Sequence, residues 1–179
     1  IGLTLPGTPA VVTGSNGKTT VKEMLASILR QQGEVLATQG NFNNELGVPL
    51  TLFRLRPEHR FAVLELGASK AGDVAYLSAI TQPDVGVVTN VGPAHLEGFG
   101  SEAGVAAAKG EIFASLPATG FAILNGDQPW CEMWRKMNSA EGVLLFGSGR
   151  AHDVHFEQLE SGTRMLTPAG GFDVRLTLP

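Results

Sequence analysis

An apolar segment that leads directly into a glycine-rich turn limits the possible folds of this sequence more than any other pattern in it. The apolar segment spans residues 9–13, and the turn spans residues 14–20 with the sequence GSNGKTT. Apolar residues then recur at helical spacing, which predicts an amphipathic helix that ends near Gly33. The expected apolar stripe consists of Val21, Leu25, Ile28 and Leu29. A buried strand, a tight turn and a helix in this order predict the first unit of an α/β sheet.

Strand and helix patterns alternate after this unit. A glycine- and asparagine-rich turn is expected at residues 40–47, and a loop at residues 90–100. The run from residue 84 to residue 89 is largely apolar, as in a parallel strand that is buried on both faces. This alternation predicts a mostly parallel sheet flanked by helices. The predicted strands span residues 35–38, 61–66, 84–89, 121–124 and 143–146, and the predicted helices span residues 72–81, 101–116 and 130–137.

The pattern changes after Gly147, where helical periodicity ends and strand-like segments follow one another. Closely spaced strands joined by short turns predict a small antiparallel meander. We therefore expect one α/β domain, in which residues 1–8 form a linker and residues 152–179 form an appended sub-sheet. The predicted strands of the meander span residues 154–159, 164–167 and 172–178.

Composition excludes several classes of function. The 179 residues suit a single domain, and 13 basic against 17 acidic side chains leave a net charge of −4. This balance argues against nucleic-acid binding, which requires clustered Lys and Arg. Apolar runs stay well short of the ~20 residues that span a bilayer, so no membrane insertion is expected. A single cysteine, Cys131, fits a reducing compartment, and we expect a cytoplasmic location.

The turn at residues 14–20 predicts a phosphate-binding loop. Glycines let backbone N–H groups approach phosphate oxygens, and the N-terminus of the following helix adds positive potential. Lys18 would supply a charge to the β- and γ-phosphates, and the Thr19 hydroxyl would ligate Mg²⁺. The spacing is shortened, because Val12 stands where the usual pattern has its first glycine. The alternative is an ordinary strand-to-helix turn with a surface lysine, but the strand before and the helix after favour nucleotide binding.

Three further candidates lie at or beyond the carboxyl ends of predicted strands, where open α/β sheets bind ligands. Glu65 could complete a Mg²⁺ shell begun by Thr19, or it could be a solvated strand end. His95 follows the strand at residues 84–89, and a histidine in such a loop is more often structural. Lys109 lies in a helix of small and apolar residues, so it could also be a lysine that extends to solvent. A cationic Lys109 would be repelled from a magnesium site.

Several motifs together resemble the Mur ligase family. The glycine-rich turn has the shortened spacing of that family's ATP loop. The segment GNFNNELGVPLT resembles the signature of the branch that adds D-Ala-D-Ala to UDP-MurNAc-tripeptide. The likeness covers nearly the whole chain. The similar segments are residues 13–20, 40–51, 64–68, 72–74, 90–97 and 108–112.

The resemblance implies a role for each site residue. Thr19 and Glu65 would bind one Mg²⁺, and His95 and Lys109 would bind a second, with Lys109 carbamylated by CO₂. A carbamate is anionic, so this modification would remove the repulsion between Lys109 and a metal. Lys18, His95 and Lys109 would be the catalytic residues. The implied ATP-binding residues are Gly14, Ser15, Asn16, Gly17, Lys18, Thr19, Thr20 and Asn44.

The resemblance also implies an activity and a domain organisation. The reaction would be an ATP-dependent ligation through an acyl phosphate, with UDP-MurNAc-tripeptide and D-Ala-D-Ala as substrates and a monomeric enzyme. This chain matches the central, ATP-binding domain of the family, without the N-terminal UDP-binding domain and the C-terminal domain. Another branch of the family and folylpolyglutamate synthetase remain alternatives. So do a P-loop kinase or NTPase and a nucleotide-binding module without catalysis.

Overall fold

The computed structural model describes residues 7–93, 96–159 and 162–174. Nine strands and six helices lie in these ranges. The strands are β1 (Thr8–Thr13), β2 (Glu34–Ala37), β3 (His59–Glu65), β4 (Val85–Val88), β5 (Phe121–Asn125), β6 (Gly142–Phe146), β7 (His155–Leu159), β8 (Gly162–Thr167) and β9 (Gly170–Val174). The helices are α1 (Lys18–Leu29), α2 (Gly47–Leu52), α3 (Asp73–Thr81), α4 (Leu96–Phe99), α5 (Glu102–Ala114) and α6 (Cys131–Met137).

Six strands form one parallel sheet in the order β2-β3-β1-β4-β5-β6. In the register of the central strands, Val12 of β1 pairs with Glu65 of β3 and with Val87 of β4. The carboxyl ends of β1, β3 and β4 therefore meet at one edge of the sheet. The predicted α/β fold with a mostly parallel sheet is confirmed.

Helices cover both faces of this sheet. Successive side chains of a strand point to opposite faces, so neighbouring residues of β3 belong to different halves of the core. Val63 packs with Ala26 of α1, whereas Leu64 packs in the larger cluster with residues of α3, α5 and α6. In that cluster Trp134 lies 6.1 Å from the Phe113 ring and donates its indole N–H to the Ala106 carbonyl. None of the helices within the described ranges has the length and apolar character to cross a membrane.

The C-terminal strands β7, β8 and β9 form a separate antiparallel sheet. Val154 connects the two sheets, because it makes a parallel bridge to Phe146 at the end of β6. Arg164 donates to both carboxylate oxygens of Asp173 across the β8–β9 pair. The predicted antiparallel meander is thus confirmed, and residues 175–179 of its predicted last strand lie outside the described residues.

Helix α1 does not bury the whole predicted stripe. Leu25 and Leu29 pack towards the sheet, but Ile28 is 59% exposed and the most buried residues are Ala26 and Lys22. The small side chain of Ala26 lets the helix approach the sheet closely. Lys22 is tolerated inside because its ammonium finds a hydrogen-bond acceptor there. The prediction that Ile28 faces the core was therefore wrong.

Two short helices lie where a turn and a loop were expected. Helix α2 begins at Gly47, the last residue of the predicted turn, and α4 lies within the predicted loop at residues 90–100. Both helices are too short to show a clear helical period in sequence. At the other end of the chain, β1 begins at Thr8, inside the predicted linker.

Candidate functional site

Two glycines shape the predicted phosphate loop. Gly17 adopts a left-handed conformation, with φ of 77°, and caps the N-terminus of α1. Gly14 has φ of 151°, and a Cβ atom there would lie 1.9 Å from the Thr89 hydroxyl oxygen. A side chain at residue 14 would therefore separate the ends of β1 and β4. The glycines bring the loop against the carboxyl edge of the sheet.

The backbone amides of the loop divide into two groups. The N–H groups of Ser15 and Asn16 donate to the backbone oxygen and the side-chain oxygen of Asn90 at 2.9 and 3.0 Å. These two bonds hold the loop against the segment after β4. The other amides, from Gly17 to Thr20, have no acceptor among the residues that the structure describes. These amides at the start of α1 can donate to an anion without breaking a hydrogen bond within the protein.

The ammonium group of Lys18 lies over the same loop. Its Nζ donates to the carbonyl oxygens of Gly14 and Ser15 at 2.9 and 3.2 Å. The lysine side chain thus folds back along the loop rather than extending into solvent. This position puts a positive charge at the loop that precedes α1, and the role of Lys18 in phosphate binding stays a prediction.

Thr19 and Glu65 are in direct contact. The Thr19 hydroxyl donates to Glu65 Oε2 at 2.7 Å, although the two residues are 46 positions apart in sequence. Glu65 is 2% exposed, so the alternative of a solvated strand end was wrong. The second carboxylate oxygen accepts from Asn43 Nδ2 at 2.8 Å. No role was predicted for Asn43, although it lies in the asparagine-rich turn at residues 40–47.

Asn44 orients the next helix. Its Oδ1 accepts from the backbone N–H groups of Gly47 and Leu46 at 2.9 and 3.3 Å, at the start of α2. The Asn44 side chain thereby fixes the end of the turn that also carries Asn43. Both asparagines line a cleft beside the phosphate loop.

Lys109 is buried in the wall of this cleft. Its exposed fraction is 4%, so the alternative of a lysine that extends to solvent was wrong. Small neighbours such as Ala106 and Ala108 bring α5 close to the sheet and leave the lysine stem inside. Burial, together with the nearby Lys18 ammonium, lowers the pKa of Lys109 to about 8. A far larger share of neutral amine is therefore present at Lys109 near neutral pH than in an ordinary lysine.

The cleft has a volume of about 400 Å³, within the usual size of a small-molecule site. Its floor is the phosphate loop with Lys18, and its walls come from the segments after β2 and β3, from α3 and from α5. On α3, Asp73 accepts hydrogen bonds from the N–H groups of Ser69 and Lys70 at 2.9 and 3.1 Å. Burial opposes ionisation of Asp73, but these bonds outweigh it and lower the pKa of the carboxyl group.

The oxygen atoms of Thr19 and Glu65 suit Mg²⁺. Hydroxyl and carboxylate oxygens are hard ligands, and Mg²⁺ in nucleotide sites typically takes only one or two protein ligands beside phosphates and water. Among the described residues, no three His, Cys, Asp or Glu side chains gather at one point. His95, predicted for a second ion, lies outside the described residues. The two candidate ligands of the first ion are thus in contact, and both metal sites stay predictions.

Comparisons with known proteins identify the family of the chain. Residues 12–179 match the model of the Mur ligase middle domain. The chain is 45% identical to the UDP-N-acetylmuramoyl-tripeptide–D-alanyl-D-alanine ligase of Escherichia coli strain K12, over 98% of this chain and 40% of that protein.

Solved structures give the same result. A crystal structure of MurF from Acinetobacter baumannii superposes with a TM-score of 0.86 at 40% identity, over 94% of this chain and 38% of that one. MurF ligase from Thermotoga maritima in complex with ADP gives a TM-score of 0.83 at 34% identity, over 95% of this chain and 40% of that one. The chain thus spans about 40% of the length of the relatives it matches. The chain belongs to the Mur ligase family and corresponds to the middle domain of these ligases.

Proposed function

We propose that this chain is the ATP-binding part of a ligase that joins D-Ala-D-Ala to UDP-MurNAc-tripeptide. The observation that carries the proposal is the contact between Thr19 and Glu65 beside the free amides of α1. Relatives at 45% and 40% identity bear the names of such ligases, which supports this branch of the family. Because the chain spans about 40% of their length, the complete reaction would belong to a longer protein that carries the UDP-binding and C-terminal domains.

The phosphates of ATP would lie at the N-terminus of α1. The free N–H groups from Gly17 to Thr20 would bind phosphate oxygens, and Ser15 and Asn16 would hold the loop in shape through Asn90. Lys18 would exchange its two loop carbonyls for phosphate oxygens, a stronger pairing because both groups are charged. The MurF ligase from Thermotoga maritima was solved in complex with ADP, which supports nucleotide binding by this chain.

Thr19 and Glu65 would hold one Mg²⁺, with Asn43 keeping the carboxylate oriented. When bound, the ion would neutralise phosphate charge and align the γ-phosphate for transfer. His95 and Lys109 would complete a second metal site, with Lys109 as the carbamate. The lowered pKa of Lys109 supports this proposal, because only a neutral amine reacts with CO₂.

The chemistry would proceed in two displacements. A carboxylate oxygen of the tripeptide attacks the γ-phosphorus of ATP, the bond to the β-phosphate oxygen breaks, and ADP leaves. The amine of D-Ala-D-Ala then attacks the acyl carbon, loses a proton and expels phosphate, which leaves an amide. In the first step two anions approach each other. Lys18 and the free amides of α1 would offset this repulsion, so the contribution of the chain is positioning and electrostatic stabilisation.

Trapping of the acyl phosphate with hydroxylamine tests the proposal. In the full-length protein, with ATP, Mg²⁺ and UDP-MurNAc-tripeptide, we expect a hydroxamate to form. Lys18→Ala should lower its rate by about a hundredfold or more, because it removes the ammonium that donates to the loop carbonyls. Lys136→Ala removes the same charge from an exposed position on α6 and serves as the control.

Two results would contradict the proposal. Phosphate release without any hydroxamate in the wild type would favour a P-loop NTPase or kinase. Equal hydroxamate rates in Lys18→Ala and Lys136→Ala would remove Lys18 from the transfer step.

A further inference from the structure

Lys22 is a buried lysine that the proposed chemistry does not use. It lies on the second turn of α1 with an exposed fraction of 0%, a rare environment for a lysine. Its ammonium donates to the Thr38 carbonyl at 2.7 Å and pairs with Glu23 Oε1 at 2.6 Å. Glu23 itself is largely exposed, so the inward contact of the ammonium is the one with Thr38.

Thr38 connects Lys22 to the site. It follows β2 and is 1% exposed, and its N–H donates to the Val63 carbonyl of β3. Its hydroxyl oxygen accepts the backbone N–H of Glu65 at 3.0 Å. The backbone of Glu65 is therefore held by Thr38, and Thr38 is held in turn by Lys22.

The same helix carries both ends of this arrangement. Thr19 and Lys22 are three positions apart on α1 and so lie on one side of the helix. Thr19 contacts the Glu65 carboxylate, while Lys22 reaches the Glu65 backbone through Thr38. Two links thus join α1 to Glu65. Loss of the ammonium would leave the buried Thr38 carbonyl without this donor and would free the helix to shift relative to β3.

We propose that Lys22 is a positioning residue, which acts through Thr38 to set the spacing between Thr19 and Glu65 that Mg²⁺-dependent nucleotide binding requires. This inference rests on the proposed function of the loop. Removal of a residue that hydrogen-bonds to a metal ligand and orients it commonly lowers metal affinity by about 10–100-fold. We therefore expect the effect of Lys22 to appear in the Mg²⁺ dependence of binding.

The test measures binding of mant-ATP, a fluorescent ATP analogue, to the 179-residue chain by anisotropy. Mg²⁺ is titrated at fixed mant-ATP, and the affinity in EDTA is measured separately. Lys22→Met keeps the apolar stem and removes the ammonium. We expect it to raise the Mg²⁺ concentration for half-maximal binding about tenfold and to leave the affinity in EDTA within about twofold. Thermal unfolding shows whether the variant is folded.

Matched variants separate this role from a general loss of structure. Glu23→Gln removes the negative charge of the exposed partner but keeps the contact of Lys22 with Thr38, and we expect it to behave as the wild type. Thr38→Val removes the hydroxyl that accepts from Glu65, and should reproduce the shift of Lys22→Met. Thr38→Ser keeps that hydroxyl and should restore the wild-type Mg²⁺ dependence. If Lys22→Met does not fold, comparison of Thr38→Val with Thr38→Ser tests whether Thr38 sets the Mg²⁺ dependence of binding.

Three outcomes would overturn the inference: an unchanged Mg²⁺ dependence in Lys22→Met and Thr38→Val, an equal loss of affinity in EDTA and in Mg²⁺, or a shift of the same size in Glu23→Gln. Failure of the wild-type chain to bind mant-ATP under any condition would instead contradict the proposed function itself.

Discussion

At the scale of single residues, burial changes what a side chain can do. Lys109 and Lys22 are both lysines on helices, and both are inside the protein. Lys22 has an acceptor for its charge in Thr38, whereas no hydrogen bond to the Lys109 side chain occurs among the described residues. Lys22 therefore stabilises the contact between α1 and Thr38, whereas the amine of Lys109 is available to react in the cleft.

The lowered pKa of Lys109 predicts a pH dependence of its reaction with CO₂. With a pKa of about 8, roughly one molecule in ten carries the neutral amine at pH 7, against fewer than about one in a thousand for an ordinary lysine. The neutral fraction rises with pH through 8, so carbamate formation should rise over the same range. NMR of the chain with ¹³C-bicarbonate would follow the carbamate carbon.

Lys109→Ala is the control for this experiment, because the chain has other amines. We expect the signal with a midpoint near pH 8 to vanish in that variant. An identical signal in Lys109→Ala, or a midpoint near that of an exposed lysine, would show that Lys109 is not the reactive amine.

A site residue could be predicted where its role depends on a contiguous sequence pattern, and could not where its role depends on a contact with a distant residue. Lys18 and Thr19 belong to a contiguous motif, and Glu65 ends a recognisable strand, so all three could be predicted. Asn43 could not, because its contact with Glu65 spans 22 positions and nothing in the turn distinguishes it from Asn41 or Asn44. The sequence also could not predict that Asn90 accepts hydrogen bonds from some of the loop amides and leaves the others free, because this depends on a contact between residues 74 positions apart.

At the scale of elements, Glu111 joins α3 and α5, the two helices that line the cleft. It lies on α5, and its two carboxylate oxygens accept from the N–H groups of Gly72 and Ala75 at 2.8 and 2.9 Å. These groups belong to the N-terminus of α3, where backbone donors lack partners within the helix. One carboxylate of α5 thus caps α3 and fixes the distance between the helices.

Removal of this cap should destabilise the protein. For Glu111→Ala we expect a loss of about 1–2 kcal/mol in the free energy of unfolding, because two N–H groups lose a charged acceptor. Urea unfolding followed by circular dichroism measures it. Glu141→Ala removes an equal charge from an exposed position before β6 and should stay within about 0.5 kcal/mol of the wild type. Equal stability of the two variants would show that the cap contributes little.

Most elements were foreseeable, but the two shortest helices, α2 and α4, were not. β3, α3 and α5 show clear strand or helix patterns, and their observed bounds lie within a few residues of the predicted ones. Helix α2 has six residues and depends on Asn44, whose Oδ1 accepts from Gly47 at its start. Its existence follows from that bond and from burial of Val48 and Leu52 against the core rather than from a pattern in the sequence.

At the scale of the whole molecule, the parallel sheet gathers distant segments at one edge. The carboxyl ends of β1, β3 and β4 bring together the loop, Glu65 and Thr89. The proposed phosphate site lies in the cleft at that edge, and the chain that forms it spans about 40% of the length of the relatives. Binding of nucleotide and formation of an amide should therefore be separable.

We expect residues 1–179 alone to bind Mg²⁺-nucleotide but to form no detectable amide from UDP-MurNAc-tripeptide and D-Ala-D-Ala. Chromatography of the reaction mixture, with the full-length protein as the positive control, measures the product. Amide formation by the 179-residue chain would show that these residues hold all the groups that ligation needs.

The alternation of strands and helices, the glycine-rich turn before α1 and the family could all be predicted from the amino-acid sequence, because these depend on contiguous patterns and on the local preferences of glycine and apolar residues. The folded protein was needed to show which loop amides are free, that Lys109 is buried with a lowered pKa, and that Lys22 reaches Glu65 through Thr38. These properties depend on side chains that meet across the sheet from distant parts of the chain. Desolvation and hydrogen bonding there are set by packing, which local sequence patterns do not specify.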